Sequence, residues 1–98
     1  MTVTFTAKLW KYPGQAAWYF VSLPKAHTKD LKTLASGPSR GFGSLRVNVA
    51  LGDSSWQTSI FPDNKSGSYL LPIKKEIRRS HNLVDGATFP ISVTIIDI

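Results

Sequence analysis

The chain has 98 residues, 42% of them hydrophobic, which is enough for one domain with a single core and excludes a wholly disordered chain. It contains no cysteine, which excludes disulfides and thiolate chemistry, and no apolar run that suits a membrane span or a secretory signal, so we expect a cytoplasmic protein. The net charge of +6 favours contact with anions, although such a charge is also ordinary for a small soluble domain.

The first third of the chain predicts two strands and a helix. Residues 3–9 alternate between apolar and polar side chains, the period of a half-buried strand, and Pro13-Gly14 then marks a turn. Residues 17–23 are apolar on both faces, so this strand is either covered on both sides or has an exposed aromatic face. Residues 24–35 predict a helix, which a loop rich in glycine and serine ends at 36–43.

The middle of the chain predicts a hairpin and a further short strand. Residues 45–51 and 56–61 both alternate with period two, and the turn-forming run Gly52-Asp53-Ser54 separates them. Residues 62–67 read as a loop, and residues 68–72 as a strand. Hairpin connections of this kind favour antiparallel pairing.

Residues 73–83 predict a second helix, with Ile73, Ile77 and Val84 as its apolar stripe. Gly86 suits the left-handed conformation that ends a helix.

The last strand, residues 89–96, contains Pro90, which indicates an edge position or a strand start because proline lacks the backbone N–H. Together the patterns predict six strands and two short helices in one mainly β domain over residues 1–98. They favour a barrel or a small sandwich over a parallel sheet.

Patterns for catalysis and metal binding are missing. His27 and His81 lie far apart, and neither has a second ligand at metal spacing. No Gly-x-Ser-x-Gly elbow occurs, and the glycines at 37–43 lack the Gly-Lys-Ser/Thr of a phosphate loop. We therefore assign no catalytic residue, no metal and no cofactor, and we favour a non-catalytic protein.

The strongest remaining signal is the basic second helix. On a helix, Lys74, Arg78 and His81 share one face, with Lys75 and Arg79 beside them. Like charges one turn apart cost roughly 0.2–0.5 kcal/mol per pair. An anion, an acidic partner or the C-terminal end of the helix dipole must offset that cost, and the dipole alone is sufficient. The cluster is therefore either an anion site or a purely structural feature.

Aromatic side chains form a second candidate surface, since they exceed what one core row needs. They would suit stacking with single-stranded nucleic acid or a planar ligand, and equally a barrel interior or a dimer interface. The residues are Trp10, Tyr12, Trp18, Tyr19, Phe20, Phe42, Trp56 and Tyr69.

Three functions follow, in order of preference. The first is a binding or interaction module, monomeric or homodimeric. The second is a nucleic acid or polyanion binder that uses the basic helix together with Arg40 and Arg46. The third is a receptor or enzyme with a pocket for a small anion at the barrel mouth, near Arg40, Phe42, Trp56 and Arg78.

Four segments occur in a characteristic order: AWYFVSLP at 17–24, GSLRVNV at 43–49, WQTSIFP at 56–62 and GSYLLPIK at 67–74. In this order, and followed by a helix with Arg78, they resemble the bacterial family called domain of unknown function nineteen-oh-five. The resemblance covers nearly the whole chain.

The resemblance implies a closed six-stranded barrel with short helices, of the double-split kind that AbrB-like transcription factors also use. Some relatives are fused to a YdeI/OmpD-associated domain. Arg78 matches the family's helix arginine and Leu71-Pro72 its Leu-Pro, whereas the Gly-Asp that often follows the helix is Gly86-Ala87 here. The family has no established activity, so the resemblance implies no catalytic residue.

Overall fold

The computed structural model describes residues 1–14, 17–35 and 43–96. Seven strands and two α-helices lie in these ranges, so the prediction of a mainly β fold with two short helices is confirmed. The strands are β1 (Thr2–Lys8), β2 (Trp10–Lys11), β3 (Tyr19–Ser22), β4 (Leu45–Leu51), β5 (Ser54–Asp63), β6 (Ser68–Pro72) and β7 (Thr88–Ile95). The helices are α1 (Thr28–Ala35), which a 3₁₀ turn at Lys25–His27 precedes, and α2 (Lys75–Ser80).

The strands form one antiparallel sheet in the order β1-β7-β4-β5-β6-β3-β2. β1 and β2 lie at opposite ends of this order although Leu9 alone separates them in sequence. The sheet must therefore curl until its two edges approach each other at Leu9. Leu9 itself bonds to the segment before β7: its N–H donates to the Ala87 carbonyl at 2.9 Å, and its carbonyl accepts from the Gly86 N–H at 2.7 Å.

The result is a curled half-barrel of seven strands, and the closed six-stranded barrel is not confirmed. The extra strand, β2, arises because the chain leaves the β1 ladder at Leu9 and then pairs with β3 over two residues. The backbone N–H and C=O of Leu9 bond to the loop before β7. In the described part of the chain, no ladder therefore joins β1 to β2.

The inner face of the sheet is the hydrophobic core. Alternate residues of β4 and β7 point inward and are buried, as the period-two pattern predicts. From α1, Leu31 and Ala35 join the same cluster, and from β6, Tyr69 and Leu71 do so. Full burial of a large apolar side chain such as Leu31 or Leu71 contributes roughly 1.5–3 kcal/mol to the stability of the fold.

Pro90 is the third residue of β7, near the strand start as expected. β7 is not an edge strand, since it lies between β1 and β4. The proline is tolerated because β4 pairs with β7 only from Ser92 onwards, so that ladder never requires an N–H at Pro90.

Helix α2 is shorter than the sequence predicts, because it ends before Asn82. Asn82 adopts a positive φ of 54°, and the Leu83 N–H donates to the Arg78 carbonyl at 2.8 Å. The Asn82 N–H donates to the Arg79 carbonyl at 3.3 Å, which completes the Schellman motif. Leu83 then packs against the core, whereas Val84 is 68% exposed. The prediction of Gly86 as the terminating residue and of Val84 in the stripe was therefore wrong.

The outer face of β1 and β7 is lined with hydroxyl groups. Thr2 Oγ1 lies 3.0 Å from Thr94 Oγ1, and Thr4 Oγ1 lies 2.9 Å from Ser92 Oγ, in both cases between directly opposite residues. Antiparallel sheets often expose one polar face in this way, because small hydroxyl side chains bond to one another and to water. These four residues are called the hydroxyl face below. Within the described ranges, no helix is long and apolar enough to cross a membrane.

Candidate binding surface

Four aromatic side chains lie together on the outer face of β2, β3 and the residues beside them. Trp10 and Phe20 are directly opposite in the β2–β3 ladder, and the Tyr12 N–H donates to the Trp18 carbonyl at 2.8 Å. Tyr12 is 43% exposed and Trp18 is 57% exposed. We call Trp10, Tyr12, Trp18 and Phe20 the aromatic face. Of the two interpretations of residues 17–23, the strand with an exposed aromatic face is the one observed.

Phe20 is the centre of the aromatic face. Its ring centroid lies 5.4 Å from that of Trp10, 5.9 Å from that of Tyr12 and 6.2 Å from that of Trp18. The Trp18 and Phe20 rings are nearly parallel, with an angle of 10° between their planes. Aromatic pairs of this kind contribute about 0.5–1.5 kcal/mol each, so the rings hold one another in place before any ligand binds.

A hydrogen bond also holds the Trp10 indole in place. Its Nε1–H donates at 3.1 Å to the Oγ of Ser22, which lies on the outer face of β3. A tryptophan that satisfies its one donor within the sheet presents its ring edge and faces for packing.

A surface cavity of about 340 Å³ lies beside the aromatic face, between the start of β3 and the start of α2. Trp18 lines this cavity and is also part of the aromatic face, so the two features are continuous. We call it the Arg78 cavity. Its lining residues are Ala17, Trp18, Tyr19, Pro72, Ile73, Lys74, Lys75, Glu76 and Arg78.

Arg78 is the half-buried cation of this cavity. Its Cζ lies 4.0 Å from the centroid of the Tyr19 ring, a cation–π contact that holds the guanidinium against β3. Its Nε is buried and has no hydrogen-bond partner among the described residues. A buried donor without an acceptor destabilises the protein. Because Arg78 lines the cavity while its Nε is buried, a ligand in the cavity meets other atoms of this side chain.

The predicted basic cluster stays together on α2 except for His81. Lys74, Lys75 and Arg78 line the cavity, and Lys75 and Arg78 line a neighbouring surface cavity together with Arg79. His81 does not share their face, because the helix has ended. Its Nε2 lies 2.8 Å from Ser54 Oγ, which links the end of α2 to the β4–β5 hairpin.

The other predicted site residues lie elsewhere. Arg46 is exposed on the outer face of β4, where its Nη1 lies 3.4 Å from Ser59 Oγ. Trp56 packs against the core from β5, with its Nε1 buried and unbonded among the described residues. Neither lines the Arg78 cavity. Arg40 and Phe42 lie outside the described residues, so the proposed grouping at a barrel mouth stays a prediction.

Among the described residues, two titratable groups have shifted pKa values, and both lie outside the cavity. Hydrogen bonds from Ser66, first from its hydroxyl and also from its backbone N–H, hold the pKa of Asp63 below its usual value. Burial raises the pKa of Tyr69, which belongs to the core. Within the described ranges, no three His, Asp or Glu side chains come together as a metal site would need.

The residues quoted for the family resemblance lie in β3, β4, β5 and β6 and at the start of α2. A family model described as "Domain of unknown function (DUF1905)" matches residues 5–93. The chain belongs to the DUF1905 family. The match runs from β1 to β7 and includes every described element of the aromatic face and the Arg78 cavity. A search of curated proteins finds no match.

The DUF1905 match confirms the family and adds no activity, since the family description names none. The contact between Tyr19 and Arg78 is the feature that sequence reasoning missed. The sequence singles out both residues, Tyr19 as a surplus aromatic and Arg78 as a helix cation. Nothing in the sequence pairs them, because the contact depends on how β3 and α2 meet.

Proposed function

We propose that this DUF1905 domain is a non-catalytic binding domain for an anionic partner, with the aromatic face and the Arg78 cavity as its binding surface. The observation that supports the proposal is the position of Trp18. One exposed indole belongs both to an aromatic cluster and to a cavity lined by three basic side chains. A partner seated there contacts flat apolar rings and cations together.

The charge distribution supports an anionic partner. The segments that border this surface, residues 8–22 and 72–80, carry six basic residues and one acidic residue: Lys8, Lys11, Lys74, Lys75, Arg78 and Arg79 against Glu76. A surface with one predominant sign of charge raises the local concentration of counter-charged partners and speeds their association.

The residues available to a bound molecule support binding rather than catalysis. The ionisable groups of the cavity are the basic residues Lys74, Lys75 and Arg78, together with Tyr19 and one carboxylate, Glu76. Arginine and lysine recognise phosphate and carboxylate groups by charge-assisted hydrogen bonds. The set is mostly cationic, which favours recognition of an anion.

The test compares two pairs of lysines that differ in location and not in charge. Lys74→Ala with Lys75→Ala removes two cations at the cavity, and Lys29→Ala with Lys32→Ala removes two exposed cations from α1. Binding of a heparin oligosaccharide is measured by calorimetry at several salt concentrations. We expect the first pair to weaken binding at least about tenfold and to lower the salt slope.

The α1 pair serves as the matched control, because it lowers the net charge by the same amount. We expect it to change the affinity by less than about twofold. Equal losses from the two pairs would show that net charge alone attracts the polyanion, and the proposed surface would then be wrong.

A further inference from the structure

The aromatic face continues across the sheet as an apolar stripe. Phe20 lies opposite Pro72, and Leu70 lies opposite Phe61, so these side chains share the outer face with the aromatic cluster. Phe61 is 46% exposed. Leu70 is buried but does not belong to the core cluster, which agrees with its outward position. Because Leu70 is only 8% exposed, the apolar stripe from β2 to β5 is open at its two ends, at the aromatic face and at Phe61.

Cations lie along the β2–β3 end of this stripe. Lys74 and Lys75 line the cavity that Trp18 shares, whereas Lys11, opposite Tyr19 in the ladder, points to the other face of the sheet. Aromatic rings with interspersed cations are the combination by which proteins hold single-stranded nucleic acid, since bases stack on the rings and phosphates pair with the cations.

We infer that the partner is single-stranded nucleic acid, with bases stacked on Trp18 and its aromatic neighbours and phosphates at Lys74, Lys75 and Arg78. The inference rests on the proposed function and names its partner. Arginine holds phosphate through charge-assisted hydrogen bonds, and the Arg78 side chain lines the cavity that Trp18 shares. Unpaired bases are required because duplex bases stack on each other and leave their faces inaccessible to the rings.

A second copy of the chain fits this surface less well. A two-fold dimer places the same patch against itself, so the basic residues of both copies would meet across the interface. Juxtaposed like charges disfavour such a contact. A flexible anionic polymer neutralises the same residues and also supplies flat rings for Trp18 and Phe20.

The experiment measures anisotropy of a labelled oligothymidylate of about 12 nucleotides, a length within the usual site size. Competitors are a duplex of the same length and inorganic polyphosphate. We expect the oligothymidylate to bind more tightly than either competitor. Trp18→Ala should weaken binding by about 5- to 150-fold with little change in the salt slope, and Trp18→Phe should restore most of it.

Lys74→Ala with Lys75→Ala should weaken oligothymidylate binding and lower the salt slope by about 1.4, or 0.7 for each phosphate that the protein no longer neutralises. Lys29→Ala with Lys32→Ala is again the matched control and should leave both quantities nearly unchanged. Circular dichroism of each variant shows whether the loss of binding reflects a loss of fold.

The failure of the inference differs from the failure of the proposed function. If oligothymidylate and polyphosphate bind equally and Trp18→Ala has no effect, the nucleic acid inference is overturned while anion binding at α2 stands. If oligothymidylate does not bind and Trp18→Ala abolishes a dimer seen by sedimentation, the stripe is a self-association surface and the inference is equally overturned. If the Lys74 and Lys75 variants bind both polyanions normally, both proposals fail.

Discussion

The two halves of the curled sheet share one core but have different outer faces. On β1 and β7 the outward residues include threonines and a serine that bond across the strands, as Thr2 does with Thr94. On β2 and β3 the outward residues are aromatic rings, with Trp18 more than half exposed. Folding alone explains the hydroxyl face, because its side chains bond to one another across the strands and to water. Folding alone does not explain why the other half exposes large apolar rings beside a basic helix.

The difference shows where function can be sought in a small β domain. Packing determines which residues occupy the inner positions in both halves, so those residues indicate the fold. Outer positions are free to vary as long as the strand pairs, so a contiguous apolar patch there indicates an interaction surface. Substitutions in each half test this contrast.

Core substitutions should affect the two halves alike. Leu71 lies on the inner face beneath the aromatic half, and Leu45 lies on β4 in the other half; both are fully buried. Leu71→Ala and Leu45→Ala should each lower the free energy of unfolding by about 2–5 kcal/mol, measured by urea denaturation, because each leaves a cavity. A cost well below that range for Leu71→Ala alone would mean that the aromatic half does not share the core.

Two glycines, in the loops on either side of β5, allow the cost of backbone strain to be distinguished from the cost of steric crowding. Gly52 and Gly67 have φ of +57° and +73°, so alanine at either position should cost about 1–2 kcal/mol of unfolding free energy. An added Cβ at Gly52 would lie 3.1 Å from His81 Cε1, whereas at Gly67 it would meet open space. Gly52→Ala should therefore cost more than Gly67→Ala in thermal unfolding. Equal costs for the two substitutions would show that the end of α2 moves aside without a loss of stability.

Removal of an exposed ring should have little effect on folding. Trp18→Ala removes one ring contact with Phe20 and should change the free energy of unfolding by less than about 1 kcal/mol. Thr4→Val on the hydroxyl face is the control for an outward position and should change it by less than about 0.5 kcal/mol. If Trp18→Ala unfolds the protein, the aromatic face is part of the core and not a binding surface.

The smallest effect concerns pH. Because the folded pKa of Asp63 is lowered, its hydrogen bonds with Ser66 stabilise the protein fully above the unfolded value of about 3.9, and this contribution is lost as the pH falls through the folded pKa. Asp63→Asn should flatten the pH dependence of stability below about pH 4, measured by chemical denaturation at several pH values. An unchanged profile would show that the carboxylate does not keep these bonds in solution.

Much of the fold could be predicted from the sequence where one face of a strand is polar. The strict alternation in residues 2–8 and 45–51 indicates β1 and β4 because an apolar inner face and a polar outer face produce it. β2 could not be predicted, because two residues carry no periodicity and their pairing depends on the curl of the sheet. The length of α2 was overestimated because Asn82, a weaker signal than glycine, adopts the left-handed conformation.

The candidate site was predicted in its parts and not in its arrangement. Basic residues in α2 and surplus aromatics in β3 are visible in the sequence. Their meeting at Trp18, and the packing of Arg78 on Tyr19, are tertiary contacts between segments far apart in the chain. The position of Arg46 and Trp56 away from this cavity has the same origin, since strand register decides which face a residue occupies.

The most direct test of the proposed surface is to map it by backbone amide chemical shifts while oligothymidylate is added. We predict that the perturbed amides cluster in β2, β3 and residues 72–78, and that the hydroxyl face on β1 and β7 is unaffected. Perturbations centred on the hydroxyl face, or spread evenly over all basic residues including those of α1, would contradict the proposal that the aromatic half of the sheet is the binding surface.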